Sequence, residues 1–141
     1  MELRQIPRAS FMVGVQTDGR LEDVIVNMVA TRLRTSSDAV EVNTATDFVP
    51  AGLKVMRGRV ATLMHVVSHG ERLIVTVMPC EPIDPVPGDL WLICREIHEV
   101  LKVTPGVSDL HWGMDCYSAP EQTAPEVESP DELPWNFPLN G

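Results

Sequence analysis

Gly52 to Gly70 reads GLKVMRGRVATLMHVVSHG, and the fold turns on whether this stretch is a helix or a pair of strands. Leu53, Met56, Val60, Leu63 and Val67 fit helical spacing, and Gly70 would suit the residue just past a helix end. Against the helix, Gly58 inside it would cost about 1 kcal/mol. Alternatively, Val60 to Val67 pairs with RLIVTVM (Arg72 to Met78) across a tight turn at His69-Gly70. Both readings stay open, with the hairpin preferred.

The flanking sequence supports a sheet. Residues 9–79 are dense in valine and other β-branched residues, which suit a pleated, half-buried surface. FMVGVQT, Phe11 to Thr17, alternates and meets Asp18-Gly19, a strong hairpin signal because both positions tolerate positive φ. DVIVNMVATRLR, Asp23 to Arg34, is then read as a second strand on its Val-Ile-Val run. A helix with Leu21, Ile25, Met28 and Val29 on one side competes with it. AVEVNTATDFV, Ala39 to Val49, is another strand, stopped by Pro50-Ala51-Gly52.

Four prolines between Met78 and Gly88 make an irregular connector. A helix follows from Asp89 to about Val103, with Asp89 as N-cap, a stripe of Leu90, Ile93, Cys94, Ile97 and Leu101, and Pro105-Gly106 as the stop. Ser108 to Tyr117 reads as a last strand. The expectation is one α+β domain over residues 1–118, a mainly antiparallel sheet with one helix at 89–103 and room for a second. A small alternating α/β sheet is the alternative if both ambiguous segments are helical. Residues 119–141 form an acidic, proline-rich tail expected to be flexible.

The totals narrow the class. At 141 residues and 44% apolar composition the chain supports one real core. No apolar run reaches the roughly 18 residues that span a bilayer, and MELRQIPRAS carries no secretory h-region, so a cytoplasmic, non-membrane protein is expected. Net charge is −9, but seven acids and no bases follow Lys102, leaving thirteen acids and eleven bases in residues 1–102. The acidity therefore belongs largely to the C-terminal end.

Candidate chemistry is sparse. His65 and His69 lie four apart, on one side of either a helix or a strand, and can supply two ligands of a zinc site. Cys80, Cys94, Cys116, His98 or His111 would have to complete it, and no glutamate of an HExxH motif is present. Zinc is thus the one metal suggested, and the base expectation is no cofactor. Cys94 and His98, four apart on the helix, raise a thiol–imidazole pair, although Cys94 sits on the apolar stripe. Asp109, His111 and Asp115 could make an acid–base cluster, the commoner explanation being exposed polar residues at a strand end. Arg32 and Arg34, then Lys54, Arg57 and Arg59, concentrate five of the eleven bases in two runs, a patch suited to phosphates and hence to single-stranded nucleic acid.

The tail offers the most specific feature. Asp131, Glu132, Leu133, Trp135 and Phe137, spaced by prolines, combine acids for a basic rim with aromatic anchors for an apolar pocket. The segment PDELPW, Pro130 to Trp135, resembles the acidic tip of bacterial and phage single-stranded-DNA-binding proteins. In that family, a flexible acidic tail ends in an Asp-rich Ile/Leu-Pro-Phe-type peptide that recruits replication and repair partners. The likeness covers six residues, and a further six follow Trp135. It implies an interaction protein whose tail docks onto a protein partner or a neighbouring subunit of a homo-oligomer, as an accessory factor of DNA or RNA metabolism of phage or bacterial type. The alternatives are a small metal- or thiol-dependent enzyme using His65 and His69, and an acidic chaperone-like or inhibitor protein.

Overall fold

A computed structural model describes residues 5–14, 20–79, 87–116 and 126–133. The chain runs β1 (Gln5–Val13), α1 (Leu21–Leu33), β2 (Ala39–Asn43), β3 (Ala51–Arg57), β4 (Val60–His69), β5 (Arg72–Pro79), α2 (Pro87–Val103) and β6 (Val107–Cys116), with a 3₁₀ turn at Pro130–Glu132. The six strands form one sheet in the order β2-β3-β4-β5-β1-β6, antiparallel throughout. The α+β reading therefore holds, with both helices on one face of the sheet.

Gly52 to Gly70 is strand, turn, strand. Arg57 pairs with Val60 around Gly58-Arg59, and His69 pairs with Arg72 around Gly70-Glu71. In each two-residue loop the glycine has positive φ, 62° and 65°, and the second residue does not. That is the type II′ pattern, whose twist matches the flanking strands. The glycine that weakened the helical reading is the turn residue itself.

Leu21 to Leu33 is a helix, which corrects the strand preferred from sequence. Ile25, Val26, Val29, Ala30 and Leu33 are buried, a helical stripe, and Glu22 and Asp23 lie in the first turn, where acids favour the helix dipole. The β-branched run carries a propensity penalty of only tenths of a kcal/mol per residue, and burial of this stripe outweighs it. The expected hairpin turn at Asp18-Gly19 lies outside the described residues. The strand expected over 39–49 ends at Asn43. Beyond it, the Thr46 Oγ1 accepts from the backbone N–H groups of Phe48 and Val49, closing a turn that presents Phe48 to solvent. Helix α2 starts two residues before Asp89, at Pro87, where the missing N–H leaves no bond unmade.

The core lies between helices and sheet. Ile25, Val29 and Leu33 of α1 and Ile93, Cys94, Ile97 and Leu101 of α2 meet Phe11, Leu53, Val55, Met64, Val66, Val75 and Trp112 from the strands. The Trp112 indole N–H donates to His98 Nδ1 at 2.9 Å, which ties β6 to α2.

Where composition suggests a flexible segment from Ala119 onward, residues 126–133 lie on the body. Val127 and Trp112 exchange both backbone hydrogen bonds at 2.7 Å, adding a bridge to the outer edge of β6. Ser129 caps the 3₁₀ turn, Asp131 Oδ1 accepts from the Trp91 indole at 2.8 Å, and Leu133, 5% exposed, joins the core. Arg95 stacks over Trp91 at 4.9 Å and approaches Asp131 at 3.7 Å. The strap is thus anchored by backbone, indole and aliphatic contacts together.

Two substitutions check this packing in chemical denaturation. Leu133→Ala is expected to lower unfolding free energy by about 2–4 kcal/mol, and an unchanged midpoint would remove Leu133 from the core. Thr62, 1% exposed, has a hydroxyl with no hydrogen-bond partner. Thr62→Val is therefore expected to stabilise by about 1 kcal/mol.

Candidate functional site

Strand alternation places Leu53, Val55, Met64, Val66, Leu73 and Val75 under the helices and sends the intervening residues to the opposite face. No described helix packs on that second face, although Ile6 (3% exposed) and Ser10 (6%) are buried on it and Glu126 of the strap reaches Arg8 there. Its rows follow from the pairing register. One row reads Glu41, Lys54, Leu63, Met78. The next reads Asn43, Gly52, His65, Thr76, Arg8, Gly113. A third reads Val67, Ile74, Ser10, His111, and a fourth His69, Arg72, Met12, Ser108.

Two glycines shape the middle row. A Cβ at Gly52 would stand 2.9 Å from the His65 ring and 2.5 Å from the Met64 carbonyl oxygen. A Cβ at Gly113 would stand 3.0 Å from the Arg8 guanidinium. The His65 ring and the Arg8 side chain therefore lie down across glycines, and the face stays level. Arg8 also meets Glu126 of the strap at 3.6 Å. Burial lowers the pKa of His65, so its neutral form is favoured on this face.

At the β6 corner Ser10 pairs with His111 but Met12 with Ser108, so Asp109 and Leu110 together oppose Phe11. This is a β-bulge, and Asp109 takes its left-handed position with φ 54°, where glycine is usual. The bulge aims the Asp109 carboxylate at Arg72, which donates to Oδ2 at 2.6 Å and to the carbonyl at 2.7 Å. The hydrogen bond from Arg72 holds the Asp109 carboxyl below the usual carboxylate range. His111 Nδ1 sits 3.3 Å from Asp109 Oδ1. Ser10, His111 and Asp109 are thus neighbours, the residue types of a nucleophilic triad. Yet Ser10 is 6% exposed, and its hydroxyl accepts from Arg72 Nε at 2.6 Å. An arginine occupies the oxygen that a base would have to activate, so the cluster acts as a polar clasp between β1, β5 and β6.

A cleft of about 410 Å³ lies between the end of α2 and β6, lined by His98, Lys102, Ser108, Asp109, His111 and Glu128. His98 carries its proton on Nε2, because Nδ1 accepts from Trp112. Burial first, then Lys102, lowers the His98 pKa.

The residues singled out from sequence are distributed as follows. His65 and His69 share that second face, but in an extended strand four residues span about 13 Å, too far for one ion. Among the described residues no group of three His, Cys, Asp or Glu side chains converges for a metal. Cys94 is fully buried, which pushes its thiol far above its ordinary range and leaves no thiolate to pair with His98. Cys80 and the side chains of Asp115 and Cys116 lie outside the described residues, as do Trp135 and Phe137.

The two basic runs do not make one patch. Arg57 pairs with Glu96 and donates to Ser36 at 2.9 Å and Ser37 at 3.0 Å. Arg32 meets Glu99 at 3.1 Å and Glu96 at 3.6 Å. Arg34 and Arg59 are exposed on separate turns, and Lys54 lies across the sheet beside Glu41. Of the tail residues, Asp131 and Leu133 contact α2 and the core of the same chain, while Glu132 is exposed. Met12, Ile74 and Thr76, which help form the second face, had no local signal. Only the strand register assigns them to it.

No protein-family model, curated protein or solved structure matches the chain in comparisons with known proteins. No described helix is long and apolar enough to cross a membrane.

The His98–Trp112 bond sets a pH dependence. A histidine whose folded pKa lies below its ordinary value of about 6.5 contributes full stability above that pH. The contribution falls away as pH drops below it towards the folded value, because the unfolded chain binds the proton first. Glutamine can accept from the indole and does not titrate. The loss of Tm between pH 7.5 and 5 should therefore be smaller in His98→Gln than in the parent, and equal losses would reject this role.

Proposed function

We propose that this protein works by binding another protein, through the sheet face opposite the helices rather than through an active site. The observation that carries the reading is one-sided cover. Both helices serve one face, while on the other Met12, Met56, Leu63, Ile74 and Met78 are half-buried and Val67 is exposed, with no described helix over them. Val67, on a central strand close to the β4–β5 turn, is 41% exposed. Apolar side chains left accessible on a sheet face suit an interaction surface.

The acidic tail then has a divided part. Asp131 and Leu133 hold the strap to α2, so the docking peptide inferred from PDELPW is left with Glu132, Trp135 and Phe137 for any partner. A nucleic-acid role through Arg32, Arg34, Lys54, Arg57 and Arg59 would require Arg32 and Arg57 to leave Glu96 and Glu99. Enzymatic readings draw no support from an arginine-bound Ser10 or a buried Cys94.

Cross-linking in the cell that makes the protein separates the two surfaces. Ile74→Lys should remove complexes that Trp135→Ala with Phe137→Ala retains, at unchanged circular dichroism. Loss in the tail variant alone would return the function to the tail. Oligonucleotide binding with a salt slope would replace both with a phosphate-binding role.

A further inference from the structure

We infer that the outer edge of β2 takes up an extended, basic segment of a partner protein by strand addition, with Phe48 as the aromatic anchor beside it. This surface is the rim of the sheet, separate from the face proposed above, and either can fail alone.

The backbone carries it first. β2 stands last in the sheet order, so alternate residues of Ala39–Asn43 point their N–H and C=O groups away from β3, with no described strand to take them. An added strand matches such a row in register. The opposite edge of the sheet is closed. There β6 carries the bulge at Asp109–Leu110, and Val127 of the strap takes both backbone groups of Trp112. Bulges and added cover are how sheets guard their edges. Among the described residues β2 has neither, and its register runs unbroken from Ala39 opposite Met56 to Asn43 opposite Gly52.

The loop after β2 carries it next. Phe48 is 95% exposed and Val49 49%, yet the turn that presents them is tied from several directions. The Thr46 N–H donates to the Val49 carbonyl at 2.8 Å, and Thr46 Oγ1 accepts from the N–H groups of Phe48 and Val49. The Asn43 side-chain amide donates to the Pro50 carbonyl at 2.9 Å, and Asp23 Oδ1 of α1 accepts from the Ala45 N–H at 2.9 Å. A loop ordered in this way loses little conformational freedom on binding. Aromatic rings are also enriched where proteins meet.

Charge names the occupant. Asp38, Glu41 and Asp47 stand exposed before, within and beyond β2, and the strand itself holds no base. Two copies of β2 paired antiparallel about their middle would set Glu41 against Glu41, which disfavours a second copy here. A lysine or arginine opposite Glu41 is favourable instead. Apolar residues at the alternate positions of the added strand then extend the half-buried Val40 and Val42.

Fluorescence anisotropy of the full chain with a labelled seven-residue peptide that alternates lysine and valine tests the inference. Saturable binding is expected, and Phe48→Ala should weaken it roughly tenfold with circular dichroism unchanged, because the ring is already in water. Glu41→Lys should turn the preference towards a glutamate–valine peptide, a reversal that damage to the edge would not produce. A lysine–proline peptide of the same charge lacks half the N–H donors and should not bind. No saturable binding, equal binding of the lysine–proline peptide, or indifference to Phe48→Ala each overturns strand addition at β2. Binding lost in Ile74→Lys but kept in Phe48→Ala would place the peptide on the face opposite the helices, which overturns this inference and keeps the interaction role.

Discussion

Two glycine turns fix which side chain faces which way in the central sheet, and the rest of the structure depends on that allocation. Gly58 and Gly70 each close a two-residue loop at positive φ, so β3, β4 and β5 have no freedom of register. A slip of one residue would move Leu53, Val55, Met64, Val66, Leu73 and Val75 out from under the helices together. The same constraint settles the outward set. Leu63, His65, Val67, Ile74, Thr76 and Met78 share a face because the loops permit no other phase.

How much of this was legible follows from how far each signal reaches. Turns and the amphipathic stripe of α2 are local: Pro105-Gly106 and Leu90 to Leu101 read correctly from sequence alone, and the β4–β5 turn, read at His69-Gly70, falls one residue later, at Gly70-Glu71. Helix α1 was misread because Val24, Ile25 and Val26 carry a local preference for strand, while the reason they are helical is burial against strands that follow much later. His65 and His69 show the opposite limit. Their spacing is local, but its meaning changes from one face of a helix, about 6 Å, to two steps along a strand, about 13 Å.

Charge was legible in sign and not in partnership. Arg32 and Arg57 stand out as bases in the sequence, whereas their partners Glu99 and Glu96 lie 67 and 39 residues away. The strap follows the same rule. Residues 126–133 have no periodicity of their own, and their order comes from Trp91, Trp112 and the core, none of which is near them in sequence. Composition describes what a segment can do alone, and these eight residues do not act alone.

The position of β1 has a consequence for how the molecule comes into being. The first strand made lies between the fifth and the sixth, so its two edges wait unpaired for partners more than 60 and 90 residues downstream. During synthesis the β2–β5 meander and α1 can gather first, while Phe11 and its neighbours find no lasting place. Closure comes only when β6 arrives, and Leu133 enters after that. Such a topology makes folding a late, non-local event, with slow kinetics set by loop closure rather than by any single element. It also leaves an interval in which nascent chains expose the unpaired edges of β1.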